Sequence, residues 1–217
     1  MKKTTLTIIL MVGVSLPQSF AQSEARKEVK VTGGVKAEAN MSNFIFSGMS
    51  GAKSKMNVGA TVGGFLSLDI SEHFAIRGEL LYHYKSSDFI RDNTKSEYQY
   101  WGMEVPLYAI FQQRNNRGGQ YYIGFGSYTE FGLSAKIRRD GETIVLYEKD
   151  GDVTTGIAAM YDSNSGFGLI VGYEFACRMQ VNAGYKISIT NVLDDDSHSD
   201  VLLPVAISLG VGFRFGK

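Results

Sequence analysis

The chain has 217 residues, of which 25 are Gly, 3 are Pro and 1 is Cys. A single cysteine excludes an intramolecular disulfide framework and any zinc or iron–sulfur site built from several cysteines. The 22 basic and 22 acidic residues balance, so we expect no nucleic-acid partner, because nucleic-acid binding requires a basic surface. A mean hydropathy of −0.08 argues against a bundle of membrane-spanning helices, which need long apolar runs.

The first 21 residues have the layout of a secretory signal peptide. Lys2 and Lys3 precede an apolar run over residues 6–16, and Ser19 and Ala21 are the small residues expected before a cut after residue 21. The apolar run is too short to cross a bilayer as a helix. We therefore expect an exported protein with a cleaved signal peptide over residues 1–21, a short polar leader over 22–30 and one domain over 31–217.

From residue 31 onward, apolar and polar residues alternate, which is typical of strands with one apolar face. The alternation predicts eight strands, over residues 31–41, 55–70, 74–85, 98–111, 121–137, 166–175, 179–190 and 201–215. Short connections alternate with long polar ones: the short ones are 71–73, 113–120 and 176–178, and the long ones are 42–54, 86–97, 138–165 and 194–200. This pattern predicts an all-β fold, an eight-stranded antiparallel up-and-down β-barrel.

Strand length and aromatic placement indicate that the barrel is transmembrane. A strand needs about 9–11 residues to cross the apolar layer of a bilayer, and most of the predicted strands are at least that long. Aromatic residues on the apolar face form two bands, as expected at two lipid–water interfaces. The band near the short connections contains Phe74, Phe111, Tyr121, Tyr173, Phe175, Phe213 and Phe215, and the band near the long connections contains Tyr82, Tyr84 and Trp101. We expect a protein of the bacterial outer membrane.

The opposite face of the strands carries equal numbers of acidic and basic residues. They are Lys36, Glu38, Asp69, Arg77, Glu79, Lys85, Glu104, Glu130, Lys136, Glu174, Lys186 and Arg214. Because an unpaired buried charge is costly, the balance predicts an ion network inside a lumen that eight strands leave just wide enough for side chains. The alternative is a soluble exported barrel that binds an apolar ligand inside and turns these charges to water. The orientation of Glu79 relative to Tyr82 separates the two.

The residues suggest no catalytic, cofactor-binding or metal site, and we expect no enzyme. His73, His83 and His198 are too dispersed for a local zinc motif. A lipid-modifying enzyme with His83 at the long-loop rim is the rival hypothesis. Residues 79 and 83 are about 13 Å apart along a strand, so a base–acid pair would need partners from other strands.

Binding is expected in the long loops, since loops on a rigid scaffold usually carry it. Residues 194–200 (Asp-Asp-Asp-Ser-His-Ser-Asp) form an acidic run that either bridges divalent cations at a lipopolysaccharide surface or is simply solvated. The 138–165 loop contains turn residues that predict a small hairpin. We expect contact with outer-membrane lipid and lipopolysaccharide, a possible protein partner for the loops, a monomer, and an inert thiol at Cys177.

Several segments resemble the PorT-like outer-membrane β-barrels of Bacteroidetes, which are eight-stranded like the OmpA and OmpX barrels. Residues 31–36 (Val-Thr-Gly-Gly-Val-Lys) are similar to the first strand of that family, and residues 68–82 to its second hairpin. Glu104-Val105-Pro106-Leu107 resembles the fourth strand, and residues 122–126 and 165–169 have the Gly–aromatic texture of later strands. The resemblance implies an outer-membrane barrel and names no activity. The chain departs from such barrels by ending two residues after Phe215.

Overall fold

A computed structural model describes residues 29–47, 53–91, 94–139, 142–145, 162–190 and 201–216. The predicted signal peptide and residues 22–28 of the leader lie outside these ranges. The described residues form nine strands: β1 (Lys30–Ser47), β2 (Lys53–Asp69), β3 (Phe74–Arg91), β4 (Thr94–Arg114), β5 (Gln120–Arg139), β6 (Glu142–Val145), β7 (Ser163–Glu174), β8 (Met179–Ser188) and β9 (Val201–Phe215). No described residue belongs to a helix long and apolar enough to cross a membrane.

Eight of these strands close into an antiparallel barrel. Each long strand pairs with the next along the chain, β5 pairs with β7, and β4 with β5 completes the ladder on that side. The first and last strands also pair, with Asn40 opposite Ser208, so the eight-stranded barrel is closed, and β6 is added to β5 at one end of the order. The predicted fold class is confirmed.

At the end of the barrel opposite the tight turns, which we call the upper end, several strands extend further than the alternation predicts. Residues 42–54 and 86–97 were expected to be loops, but Arg91 pairs with Thr94 at the tip of a β3–β4 hairpin, and β1 continues to Ser47. The prediction of long loops there is wrong. Polar residues occupy both faces of these extensions, so the period-two signal fades while backbone pairing continues. The small hairpin expected after residue 138 is present, since Arg139 of β5 pairs with Glu142 of β6.

The apolar face of the barrel points outward. On β3, Glu79 is 3% exposed and Tyr82 is 42% exposed; on β1, Lys36 is buried while Val35 is exposed. The charged side chains therefore line the interior. This parity contradicts the soluble alternative, in which the apolar side chains would face inward.

One residue of the predicted lumen set is placed on the outside. Trp101 pairs with Ser134 and Gly102 pairs with Gly132, so Leu133 is an extra residue, a β-bulge in β5. A bulge reverses the alternation beyond it, and Lys136 lies exposed on the outer face. The prediction that Lys136 faces the lumen is therefore corrected. The other eleven predicted charges have buried or half-buried side chains.

Both predicted aromatic bands lie on the outer wall. At the tight-turn end, Tyr121 and Tyr173 pack with ring centroids 4.7 Å apart. At the other end, the ring centroid of Trp101 lies 4.7 Å from that of Tyr84 and 5.6 Å from that of Tyr82. The remaining band members are Phe74, Phe111, Phe175, Phe213 and Phe215, and all five are exposed. Between the bands the outer wall is apolar, as lipid contact requires.

Local hydrogen bonds fix the tight-turn end. In the β4–β5 turn, the Asn115 side-chain oxygen accepts the backbone N–H groups of Arg117 at 3.0 Å and Gly119 at 2.9 Å. Gly118 has a φ of 78°, which a residue without Cβ adopts at little cost. The amide of Asn115 also donates to the Tyr173 hydroxyl at 3.0 Å, and this bond ties the turn to β7.

A charge placed in the middle of the outer wall should destabilise the barrel in lipid. Leu209 is 66% exposed between the bands, and Val31 is 61% exposed at the tight-turn end. We expect Leu209→Arg to lower the free energy of unfolding by about 2–4 kcal/mol and Val31→Arg by about 0–1 kcal/mol, because the cost depends on depth in the bilayer. Urea unfolding in phospholipid vesicles measures both. Equal costs would contradict a lipid-facing wall.

Candidate functional site: the charged lumen

Charged side chains fill the lumen in three tiers. The lowest tier, near the tight turns, is centred on Arg214 of β9. Its Nε lies 2.8 Å from a Glu174 oxygen, and its Nη1 lies 3.5 Å from Asp69. The Gln180 amide donates to Glu174 at 2.6 Å. These contacts join β2, β7, β8 and β9 across the lower mouth.

The middle tier pairs one lysine with two carboxylates. Lys36 Nζ lies 2.7 Å from Glu38 and 3.0 Å from Glu79. The guanidinium of Arg77 lies between two rings, with its Cζ 4.7 Å from the ring centroid of Phe65 and 4.7 Å from that of Tyr122. Cation–π contact offsets part of the desolvation of a buried guanidinium. The middle of the lumen is thus occupied by long side chains held on both sides.

The upper tier is centred on Glu130 of β5. Lys85 donates to both oxygens of Glu130 at 2.8 Å, and His83 Nε2 lies 2.7 Å from Oε1. The Asn164 amide donates to Oε2 at 3.3 Å. Beside this group, Lys186 of β8 is hydrogen-bonded and ion-paired to Glu104 of β4. Because these partners come from five strands, the tier ties opposite walls together.

Glycine on the inner face leaves room for this filling. A Cβ at Gly172 would lie 2.4 Å from the Tyr122 ring, and one at Gly210 would lie 2.5 Å from Cγ of Glu38. Real Cβ atoms do not approach so closely. The predicted space-making role of inward glycine is therefore confirmed at these two positions.

His83 lies inside the lumen and not on the lipid-facing rim. It is 2% exposed, and its Nδ1 lies 3.9 Å from Glu104. Ser86 and Ser87, the hydroxyl side chains that follow it on β3, are also buried. The partners from other strands that a base would need do exist, but they belong to the ion network.

The sequence missed the neutral members of the network. His83, Asn164 and Gln180 have the same inward parity as the predicted charges, and parity alone could have identified them. Without Lys136, the predicted set has six acids against five bases, and the ring nitrogens of His83 face two of those carboxylates. Parity thus finds the inner face, while partner choice depends on register between strands.

A cavity of about 40 Å³ with a mixed polar and apolar lining lies above the upper tier. Its lining includes Phe44, Lys85, Tyr100, Glu130 and Lys186. That volume holds a few water molecules. Among the described residues, no group of three or more His, Cys, Asp or Glu side chains is arranged to hold a metal ion. The acidic run 194–200 and His198 lie outside the described residues, as does most of the 138–165 loop. Cys177 is exposed in the β7–β8 turn.

Removing the central carboxylate of the upper tier should destabilise the protein. Glu130→Gln leaves Lys85 buried without its counter-charge, and we expect a loss of about 3–5 kcal/mol. Lys136→Gln is the matched control on the outer face, with an expected change within about 0.5 kcal/mol. Adding Lys85→Met to Glu130→Gln should recover part of the loss. Unfolding in lipid vesicles measures all three, and equal effects at 130 and 136 would contradict the assigned network.

Comparison with known proteins places this architecture in a family. None of the curated proteins matches the chain. Among solved structures, it is similar to Ail, the attachment invasion locus protein of Yersinia pestis, at 15% identity over 87% of this chain and 99% of that one, with a TM-score of 0.45. It is also similar to OprG of Pseudomonas aeruginosa (11% identity, 86% and 95% covered, TM-score 0.48) and to Neisserial surface protein A (14%, 86% and 99%, 0.48). Residues 6–215 match the family described as outer membrane protein beta-barrel domain, and the chain belongs to that family.

Proposed function

We propose that the protein is an outer-membrane barrel with a closed lumen and a structural or interaction role at the cell surface. The carrying observation is the upper tier, in which Glu130 and Glu104 hold Lys85, His83 and Lys186 across the lumen. A barrel filled this way is a rigid body and not an open pore. Its function then depends on the outward-facing end.

The raised strands support an interaction role at that end. Trp101 marks the upper aromatic band, and β4 continues seven residues beyond it, over 94–100. Neighbouring β3 and β5 extend with it and stay paired. This hydrogen-bonded extension rises roughly 20 Å along the strands and forms a stiff support at that end of the barrel. We propose that the loops of residues 138–165 and 194–200 contact a protein partner.

We propose a non-enzymatic role, with lipid modification as the alternative to test. His83 supports this proposal, because both ring nitrogens face carboxylates of the lumen and its side chain is buried. A lipid-modifying base needs access to lipid from the wall. Deleting the gene should leave lipid A unchanged by mass spectrometry; an altered acylation or headgroup pattern would favour the enzyme.

The finer identity is also a proposal. We infer that the barrel is a PorT-like member of its family, exported by a signal peptide cleaved after Ala21 and monomeric in the membrane. The similarity of residues 68–82 to the second hairpin of that group supports this subgroup. The closed ladder between β1 and β9 supports a monomer, because the long strands of the barrel wall then pair with each other and not with a second chain.

Membrane location can be tested by fractionation and gel mobility. We expect the protein in the outer-membrane fraction, with the folded barrel migrating differently on gels before and after heating. Mass spectrometry of the purified protein should find Gln22 at the N-terminus. Recovery as a soluble protein would overturn the proposed function.

The closed lumen can be tested by conductance. In planar bilayers we expect no steady current from the native barrel, since paired side chains occupy the lumen. The double variant Glu104→Ser, Lys186→Ser removes one ion pair without leaving an unpaired charge, and we expect it to conduct measurably. A native current of porin size would contradict the proposal.

A further inference from the structure

The bulge at Leu133 turns two cations of β5 to the outside of the barrel. Beyond it, Ala135 and Ile137 face inward and are 0% and 7% exposed, whereas Lys136 and Arg138 are exposed. Without the extra residue, the alternation that puts Glu130 inside would also put these two side chains inside. Bulges commonly re-aim a side chain at a functional position.

The two cations lie just above the upper aromatic band. Ser134 is in register with Trp101, Lys136 pairs with Gln99, and Arg138 pairs with Glu97. At about 3.4 Å per residue, the two positions lie roughly 7 and 14 Å along the strand beyond the tryptophan. The aromatic band marks the headgroup level of the bilayer. Lys136 and Arg138 therefore stand where the phosphate groups of outer-leaflet lipids are expected.

Neither cation forms a close ion pair within the described part of the chain. No described carboxylate lies within 4 Å of Lys136 or Arg138 among the ion pairs of the structure. Glu97 is in register with Arg138 and lines a surface cavity with it and Asp88, and its carboxylate also accepts the Gln99 amide at 3.1 Å. The exposed residues Thr143 and Val145 of β6 are the neighbours on the other side. An ammonium and a guanidinium on one face are complementary to phosphate.

We propose that Lys136 and Arg138 form a binding site for the phosphate groups of a phosphorylated outer-leaflet glycolipid. The inference rests on the proposed outer-membrane location and deepens it by naming the residues that contact lipid. The occupant is a lipid and not free phosphate, because Trp101, Tyr84 and the exposed apolar wall lie directly below the cations. Acyl chains can pack on that wall while the phosphates reach the cations.

Native mass spectrometry of the full-length barrel in detergent provides the test. The probes are bisphosphorylated lipid A, dephosphorylated lipid A and inorganic phosphate, added separately. Lys136→Gln with Arg138→Gln should lower retention of bisphosphorylated lipid A roughly tenfold or more, since each interfacial cation contributes on the order of fivefold in affinity. Arg114→Gln with Arg117→Gln is the matched control, because it removes the same charge from exposed residues at the tight-turn end.

Glu97→Gln provides a test with the opposite sign. It removes a negative charge opposite Arg138, so retention of bisphosphorylated lipid A should rise, whereas a merely structural role for this row would lower it or leave it unchanged. Equal losses in both double variants, or no loss in the 136/138 variant, would overturn the site. Competition by inorganic phosphate at equal concentration would overturn the assignment to lipid.

Each outcome separates this site from the proposed function. All variants are first checked for heat-modifiable migration. If the double glutamine variant fails to fold, Lys136→Arg with Arg138→Lys provides the test, because it keeps both charges and should retain lipid A. Loss of retention in the conservative variant would contradict the site. A barrel that folds and fractionates with the outer membrane but ignores lipid A defeats this inference alone, whereas a soluble protein defeats the proposed function.

Discussion

The structure depends on one constraint: every backbone group inside a bilayer must find its partner within the protein. Pairing of β1 with β9 satisfies that constraint by closing the ladder. Closure with eight strands then fixes a narrow interior, and the alternation of side chains sends one residue in two into it. The filled lumen follows from closure. Inward charged residues such as Glu79 and Arg77 are shielded from bulk water, so they must pack against and pair with other side chains.

The lumen network offsets the desolvation of charged side chains that closure of the barrel buries. Buried charges destabilise a protein unless they are paired and hydrogen-bonded, and Glu130 is contacted by His83 and Lys85 of β3 and by Asn164 of β7. Because Glu79, Glu104 and Glu130 find partners on other strands, the network also fixes which walls face each other. The lumen network therefore ties opposite walls of the barrel together.

Much of this architecture is predictable from the sequence, and the exceptions have physical causes. Alternation identifies the eight strands and the inward face, since lipid on one side and a charged lumen on the other impose period two. The signal fades at residues 86–97, where polar residues occupy both faces while backbone pairing of the β3–β4 hairpin continues to Arg91 and Thr94. It fails at Lys136, because a single unpaired residue, Leu133, inverts every later side chain of β5.

That inversion shows why local failure of a pattern is informative. An insertion of one residue in β5 does not disturb the ladder below it, where Phe131 still faces out and Glu130 still faces in. It changes only the part of the strand above the aromatic band. There Ala135 and Ile137 point into the interior, and the two cations Lys136 and Arg138 point outward. The interior thereby avoids two further basic charges, which the six inward carboxylates would have had to neutralise. The same step places two positive charges on the outer wall just above the aromatic band, so one inserted residue changes the charge of the lumen and the charge of the outer surface together.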